Sequence, residues 1–285
     1  MIDEDHTLLP EVLQVHDEQG YHTYQKMMIA HDAYVENSLQ LLLKGVGEFD
    51  SPISIMSVGA GPGYYEKRLA VEGGLKVDYI LAVEPNKCFE KELSDNLKDS
   101  GANFDIDHRE FNEKFESKKL FDFVFFQHSL YYIENYIAAL KQARTMLKQN
   151  GRIVILIQGE LAPSRQWSLL LAKHLKGGVK LPHLLAAPEL LTGLSNANIE
   201  HEVIEERPIH VDIDDFVRKS GTCIQRYSYV NQATQVEFEK LSDRVQEILH
   251  DFIQKNSSLD VHSKRHKYTT YIVLMTIPWT RGVGI

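Results

Sequence analysis

The stretch that most constrains this chain is "SIMSVGAGPGYYEKRLA", residues 54–70. An apolar run stops at three glycines, Gly59, Gly61 and Gly63, and a charged, helix-like stretch follows at once. Glycine at such a turn meets two demands: a backbone with positive φ, and room for a ligand beside bare main chain. A tight strand-to-helix turn that binds nothing would show the same residues, so the flanking sequence has to decide. A phosphate loop ends in Gly-Lys-Ser/Thr, whereas this one ends in Gly63-Tyr64-Tyr65, which disfavours ATP hydrolysis. A dinucleotide fingerprint spaces its glycines G-x-G-x-x-G; here the third comes one residue early.

The next strand supplies a partner for the turn. "VDYILAVEP" (77–85) ends in Glu84 and Pro85, about 20 residues past the glycines. A carboxylate there can accept hydrogen bonds from both hydroxyls of a ribose lying across the strand ends. A solvated acid at a strand terminus is the plainer reading of Glu84 alone; the glycine turn and the acid together are rarer than either.

Around this pair the chain alternates. "ISIMSV" (53–58), "VDYILAVEP" (77–85), a short strand within 103–111, the start of "LFDFVFFQHSLYYI" (120–133) and "GRIVILIQ" (151–158) read as strands. Helical stretches at 64–72, 86–101 and 134–151 lie between them, the last two closed by glycine. This is β-α-β-α repetition, the pattern of a parallel sheet covered on both faces. The second half of 21–49 has an apolar helical face carrying Tyr34, Leu39, Leu41, Leu42 and Leu43. After residue 159 the alternation loosens. A helix is expected at 187–198, a strand at 199–211, an amphipathic helix within 235–255 and a last, antiparallel strand at 268–277. The expected division is an N-terminal helical arm or cap at 1–50 and a main domain at 51–285. Helical insertions at about 160–185 and 212–262 would cover the substrate.

Composition narrows the partners. The 285 residues carry a net charge of -9, which argues against nucleic acid or an anionic membrane surface. Two cysteines, Cys88 and Cys223, make neither a disulfide framework nor a zinc pattern and suit a reducing cytoplasm. No apolar run is long enough to span a bilayer, and the scattered histidines offer no metal-ligand spacing. A monomer without metal is expected.

"VGAGPG", "VEP", "DFVFFQHSLYYI" and "NGRIVILI" together resemble the class I S-adenosylmethionine-dependent methyltransferases, over roughly residues 53–158. The resemblance implies a Rossmann-like α/β fold with a mostly parallel seven-stranded sheet and a final antiparallel strand. It implies that Gly59, Gly61 and Gly63 pass the methionine part of S-adenosylmethionine, that Glu84 and Pro85 border its ribose, and that Asp107 and His108 lie near adenine. Within the family, "HDAYVENS" (31–38), "VEPN" (83–86), "HRE" (108–110) and "DFVFFQHSLYYIENYIAAL" (122–140) are similar to histamine N-methyltransferases. That likeness implies a small amine or imidazole substrate facing His128, Tyr131 and Tyr132, the residues expected to serve catalysis. Tyr34 and Trp167 become further substrate contacts, and Glu48 is expected to hold the substrate's positive end, with Glu36 a second choice.

The residues themselves make the aromatic segment plausible. Gln127, His128, Tyr131 and Tyr132 directly follow a strand, in the crevice where open α/β sheets bind ligands. Methyl transfer discharges a sulfonium while an amine acceptor gains charge, and aromatic faces tolerate both states, worth about 0.5–2 kcal/mol per contact. Packing beneath the next helix is the plainer role for either tyrosine. Two alternatives stay open: an O-methyltransferase, which would want a base such as His128, and a non-catalytic cofactor-binding protein of the same fold.

Overall fold

A computed structural model describes residues 32–49, 51–162, 165–166, 169–170, 185–212, 214–217 and 243–279. Its elements are α1 (Asp32–Val46), β1 (Ile53–Val58), α2 (Tyr64–Val71), β2 (Val77–Val83), α3 (Glu90–Asp99), β3 (Asn103–Asp107), β4 (Phe121–Gln127), α4 (Tyr136–Thr145) and β5 (Leu147–Gln158). There follow α5 (Ala187–Asn196), β6 (Glu202–Asp212), α6 (Asp214–Val217), α7 (Asp243–Lys255), β7 (Ser257–Leu259) and β8 (His266–Pro278). Residues 1–31 of the expected arm at 1–50, most of the expected insertions at about 160–185 and 212–262, and residues 235–242 of the expected amphipathic helix lie outside the described residues.

The chain divides into two compact units. One comprises residues 36–158, 187–207 and 272–285 and holds most of the sheet, whose strand order is β3-β2-β1-β4-β5-β8-β6, with short β7 paired to β8. The β1 to β5 pairings are parallel. Antiparallel β8 lies against β5 from Arg152↔Pro278 to Gln158↔Ile272. A sheet covered on both faces needs strands that are apolar throughout rather than alternating. That is why "ISIMSV" and "FDFVFFQ" form its middle: Phe121, Phe123, Phe125 and Phe126 are all fully buried.

The helices are placed by complementary faces. Leu93 and Leu97, one turn apart on α3, pack on Ile80 and Ala82 of β2. Helix α1 buries Leu39, Leu41, Leu42 and Val46. A Cβ added at Gly45 would stand 2.7 Å from Val154 and 3.1 Å from Leu274, so its glycine lets α1 lie close on β5 and β8.

Three elements differ from expectation. The helix expected over 86–101 begins with a separate 3₁₀ turn, Lys87–Phe89, because the Asn86 side chain accepts from the Cys88 N–H at 3.0 Å. The helix expected over 134–151 starts at a cap, Asn135, and ends at Thr145. Leu147 leaves it to pair with Phe121, Lys148 reaches Asp122 at 2.8 Å, and Asn150 takes φ 68 before the β4 pairing resumes at Arg152. The last strand runs 266–278, longer than expected.

The other unit comprises residues 1–35, 159–186 and 208–271. Within it, β7 pairs antiparallel with the first residues of β8, Ser257↔Tyr268 to Leu259↔His266. Asp214 of α6 accepts from the His266 N–H at 3.2 Å, and His250 of α7 donates to the Val217 carbonyl at 3.3 Å. No described helix is long and apolar enough to cross a membrane.

Candidate functional site

From β1 the sheet runs through β2 to β3 on one side, and through β4 to β5 on the other. The strand order reverses between β1 and β4, and the crevice beyond the carboxyl ends at such a point is where α/β sheets bind ligands. The glycine turn follows β1, and the aromatic segment follows β4.

The turn is tied down by its neighbours. Gly59 donates to the Val83 carbonyl at 2.8 Å. It has φ 70, and an added Cβ would stand 2.5 Å from the Ser129 Cβ. Gly63 caps α2 at φ 74, and its added Cβ would meet Leu93 at 2.7 Å, so only glycine lets α2 begin this near α3. Gly61 contributes a donor instead, its N–H pointing at Glu84 Oε2, 2.8 Å away.

Glu84 is 7% exposed, with Oε1 accepting the Asn86 N–H at 2.9 Å. Burial raises its pKa, against the lowering effect of these two donors. Each carboxylate oxygen has two lone pairs, so one remains on each after the backbone contacts. Pro85 behind it is exposed and brings no N–H of its own.

Beneath the turn lies a group that sequence reasoning missed. Ser57 of β1 donates its hydroxyl to Glu66 Oε1, and Gln127 at the end of β4 donates to the same oxygen at 3.1 Å. Glu66 is 2% exposed, and burial pushes its pKa up to about 7. Glu66 Oε2 and Gln127 Oε1 are buried acceptors that no donor among the described residues reaches. The only signals in the sequence were a serine inside an apolar strand and an acid in the first turn after the glycines.

On the other side, the chain leaves β4 at His128 with φ 52, while its N–H still pairs with the Leu156 carbonyl at 3.0 Å. Desolvation lowers the His128 pKa to about 4, so the imidazole is neutral at neutral pH. Ser129 turns inward and donates to the Val58 carbonyl at 2.5 Å. The 3₁₀ turn Leu130–Tyr132 then presents the rings of Tyr131 and Tyr132, centroids 4.8 Å apart at 58°. Tyr132 is 47% exposed.

The remaining expected residues are distributed unevenly. His108 Nδ1 lies 2.9 Å from the Glu84 carbonyl; a carbonyl only accepts, so Nδ1 carries the proton. Asp107 is engaged by its neighbour: Arg109 donates from Nη2 at 2.6 Å and from Nε at 3.0 Å, and holds the carboxyl below its usual range. Glu48 is exposed, next to a Phe49 that packs edge-on against Phe123, and the chain then enters the amino end of β1. That is the end of the sheet opposite the glycine turn, so the structure does not bring Glu48 to the other candidates. Glu36 pairs with Arg68 at 2.9 Å. The Tyr34 side chain and Trp167 lie outside the described residues.

A profile of the family described as "Methyltransferase domain" matches residues 29–197, more than half of the chain. The chain belongs to this methyltransferase family. No curated protein matches it significantly in sequence. Among solved structures, the YcgJ protein of Bacillus subtilis is 15% identical and covers 87% of this chain and all of its own, with a TM-score of 0.56. BH2331 of Bacillus halodurans C-125 is 13% identical, covers 86% of this chain and 100% of its own, and gives 0.58. The cyclase SpnF is 14% identical, covers 85% of this chain and 79% of its own, and gives 0.51. These likenesses show the fold, a Rossmann-like sheet with an antiparallel strand set; the family supplies the chemistry, since one fold hosts many activities.

The methyltransferase's cofactor is S-adenosylmethionine, and the residues at the strand ends fit it. Glu84 keeps one lone pair on each oxygen for a pair of hydroxyls. The cofactor carries no pyrophosphate, and this turn carries no phosphate-loop lysine. When bound, the cofactor supplies an electrophilic methyl group on a sulfonium.

Proposed function

We propose that this methyltransferase acts on a nitrogen of a small amine or imidazole compound. The glycine turn and Glu84 would hold the cofactor, and His128, Tyr131 and Tyr132 would face the acceptor. Acceptor choice would be governed by the segments about 160–185 and 212–262.

The observation that carries the reading is the placement of His128, Tyr131 and Tyr132 directly beyond the carboxyl end of β4, with the His128 imidazole uncharged. A base for an oxygen acceptor works best with a pKa near the operating pH. His128 has been moved down to about 4, which makes it a weak base but keeps it uncharged. A neutral imidazole can orient an acceptor by hydrogen bonding without repelling the positive charge that develops on an attacking nitrogen. The Tyr131 and Tyr132 rings can stabilise that charge through their faces. Alignment of acceptor and methyl group then carries the rate, as in other in-line displacements. The nitrogen must be neutral to attack; an imidazole meets this at neutral pH, and a primary amine loses its extra proton on leaving water.

Incubation with methyl-labelled S-adenosylmethionine and a panel of amines, imidazoles, phenols and carboxylic acids tests the reading. Labelled product is expected from the first two classes, with the new methyl on nitrogen by NMR. Methyl on oxygen or carbon overturns the acceptor assignment and leaves the cofactor site standing.

A further inference from the structure

Where β2 ends, one hydrogen bond departs from the pattern of the sheet. Strand β2 pairs in parallel with β3 as far as Val83↔Asp107, so Glu84 stands opposite His108, one step past the strand. The Glu84 N–H continues the ladder and donates to the Asp107 carbonyl at 2.9 Å. In a parallel ladder the carbonyl of the same residue then accepts from the N–H two places beyond that acceptor, which belongs to Arg109. That N–H is engaged elsewhere: it donates to the Asp107 carboxylate at 3.0 Å. A side chain takes its place, and His108 Nδ1 donates to the Glu84 carbonyl at 2.9 Å. Backbone polar groups away from water need partners, and here the imidazole supplies the donor that the strand has turned aside.

The consequence falls on the carboxylate of Glu84. Its Oε2 accepts the Gly61 N–H at 2.8 Å, and its Oε1 accepts the Asn86 N–H at 2.9 Å. The carbonyl that His108 holds belongs to the peptide joining Glu84 to Pro85, and Asn86 comes directly after it. Rotation of that peptide would carry the Asn86 N–H with it and swing the lone pairs left free on the carboxylate.

We propose that His108 is a positioning residue for cofactor binding: its Nδ1–H fixes the Glu84 main chain, and with it the aim of the carboxylate at the two ribose hydroxyls. The role rests on reading Glu84 as the acid that takes the ribose. The ring performs it in either charge state. Neutral, it carries its proton on Nδ1; protonated, it keeps that proton and gains one on Nε2, which lies 3.8 Å from Glu90 Oε1.

Calorimetry with S-adenosylhomocysteine and its 2′-deoxy analogue tests this. The wild-type protein should bind the deoxy analogue about 10- to 100-fold more weakly, the worth of a hydrogen bond to a carboxylate. His108→Leu should weaken S-adenosylhomocysteine about 5- to 20-fold and shrink the gap between the probes to about fivefold or less. His108→Asn, which places an amide N–H where Nδ1–H stood, should restore most of both. Equal weakening of the two probes by His108→Leu would make the ring a general support and overturn the proposal, as would an Asn variant no better than the Leu variant. A wild-type protein that binds both probes equally would sink the ribose reading of Glu84 itself. Nitrogen NMR of the wild-type imidazole needs no variant to fold. Nδ1 of His108 should stay protonated throughout a pH titration, with Nε2 alone gaining and losing its proton; a neutral ring protonated on Nε2 rejects the assignment.

Discussion

Under the glycine turn the methyltransferase buries polar groups, and beyond β4 it exposes aromatic ones. Ser57, Glu66 and Gln127 are at most 9% exposed and bonded to one another, while Tyr132 is 47% exposed at the far side of the same crevice. Both sides sit on the same two central strands, so the scaffold is shared and the chemistry differs. The buried side is fixed by its own hydrogen bonds, which set the position of each side chain. The other side carries the Tyr131 and Tyr132 rings, whose faces favour positive charge, beside the desolvated imidazole of His128. One side is rigid through its own hydrogen bonds, and the other offers surface to whatever meets it.

The largest expected effect falls on the turn. Gly59→Val places a branched side chain at φ 70 and against Ser129, where even a bare Cβ comes within 2.5 Å. Left-handed strain and overpacking together should cost about 2–5 kcal/mol. Thermal denaturation should show a large fall in Tm, and S-adenosylhomocysteine binding should be lost by calorimetry. A variant as stable as wild type would mean the turn is not preorganised, and the contrast between the two sides would collapse.

An intermediate effect separates the two sides by pH. The Glu66 pKa is raised to about 7, so the folded state binds more protons than the unfolded one, and stability falls as pH rises from about 4.5 to about 7. The His128 pKa is lowered to about 4, so stability is lost as pH falls from about 6.5 towards 4. Between about pH 4.5 and 6.5 the two slopes oppose each other. Glu66→Gln should remove one of them. The variant should gain stability over wild type by about 3 kcal/mol at pH 8, with no gain near pH 4.5, and should reveal the rising His128 slope between. Urea denaturation across that range measures both, and a wild-type profile that the variant reproduces unchanged would refute the buried ionisation.

The smallest effect on folding belongs to the exposed side. Tyr132→Ala should move stability by no more than about 0.5 kcal/mol. Turnover of a nitrogen acceptor should fall roughly 2- to 30-fold if the ring face stabilises charge, and Tyr132→Phe should retain most of it. Steady-state kinetics beside a melting curve checks both. An equal loss in the Phe variant would transfer the role from the ring to the hydroxyl.

Features that rest on local backbone demands were legible in the sequence. Glycines between an apolar run and a helix, an acid closing the next strand, and aromatic β4 each announce themselves within a few residues, and the structure places them at one switch point. The trio under the turn was hidden because its members are joined across the fold: Glu66 lies nine residues from Ser57 and 61 from Gln127. In "YYEKR" it reads as a solvated first-turn acid. Asp107 could not be judged without knowing that Arg109, two residues on, folds back over it. Glu48 stands apart from the other candidates for a topological reason: it leads into a strand, and the ligand end of a parallel strand is where the chain leaves.

Strand β8 carries a consequence for how the protein is made. It lies between β5 and β6, yet every other strand among the described residues precedes it in the chain. During synthesis β5 therefore emerges with one open edge, and β6 emerges with no neighbour in its final place. The open edge of β5 waits until residues 272–278 have been translated, and β6 waits for the same strand. The growing chain meets that interval with "GRIVILIQ", an almost wholly apolar strand, unpaired on one side. Until the last strand arrives, the seam that completes the sheet is also its most exposed template for pairing with another chain.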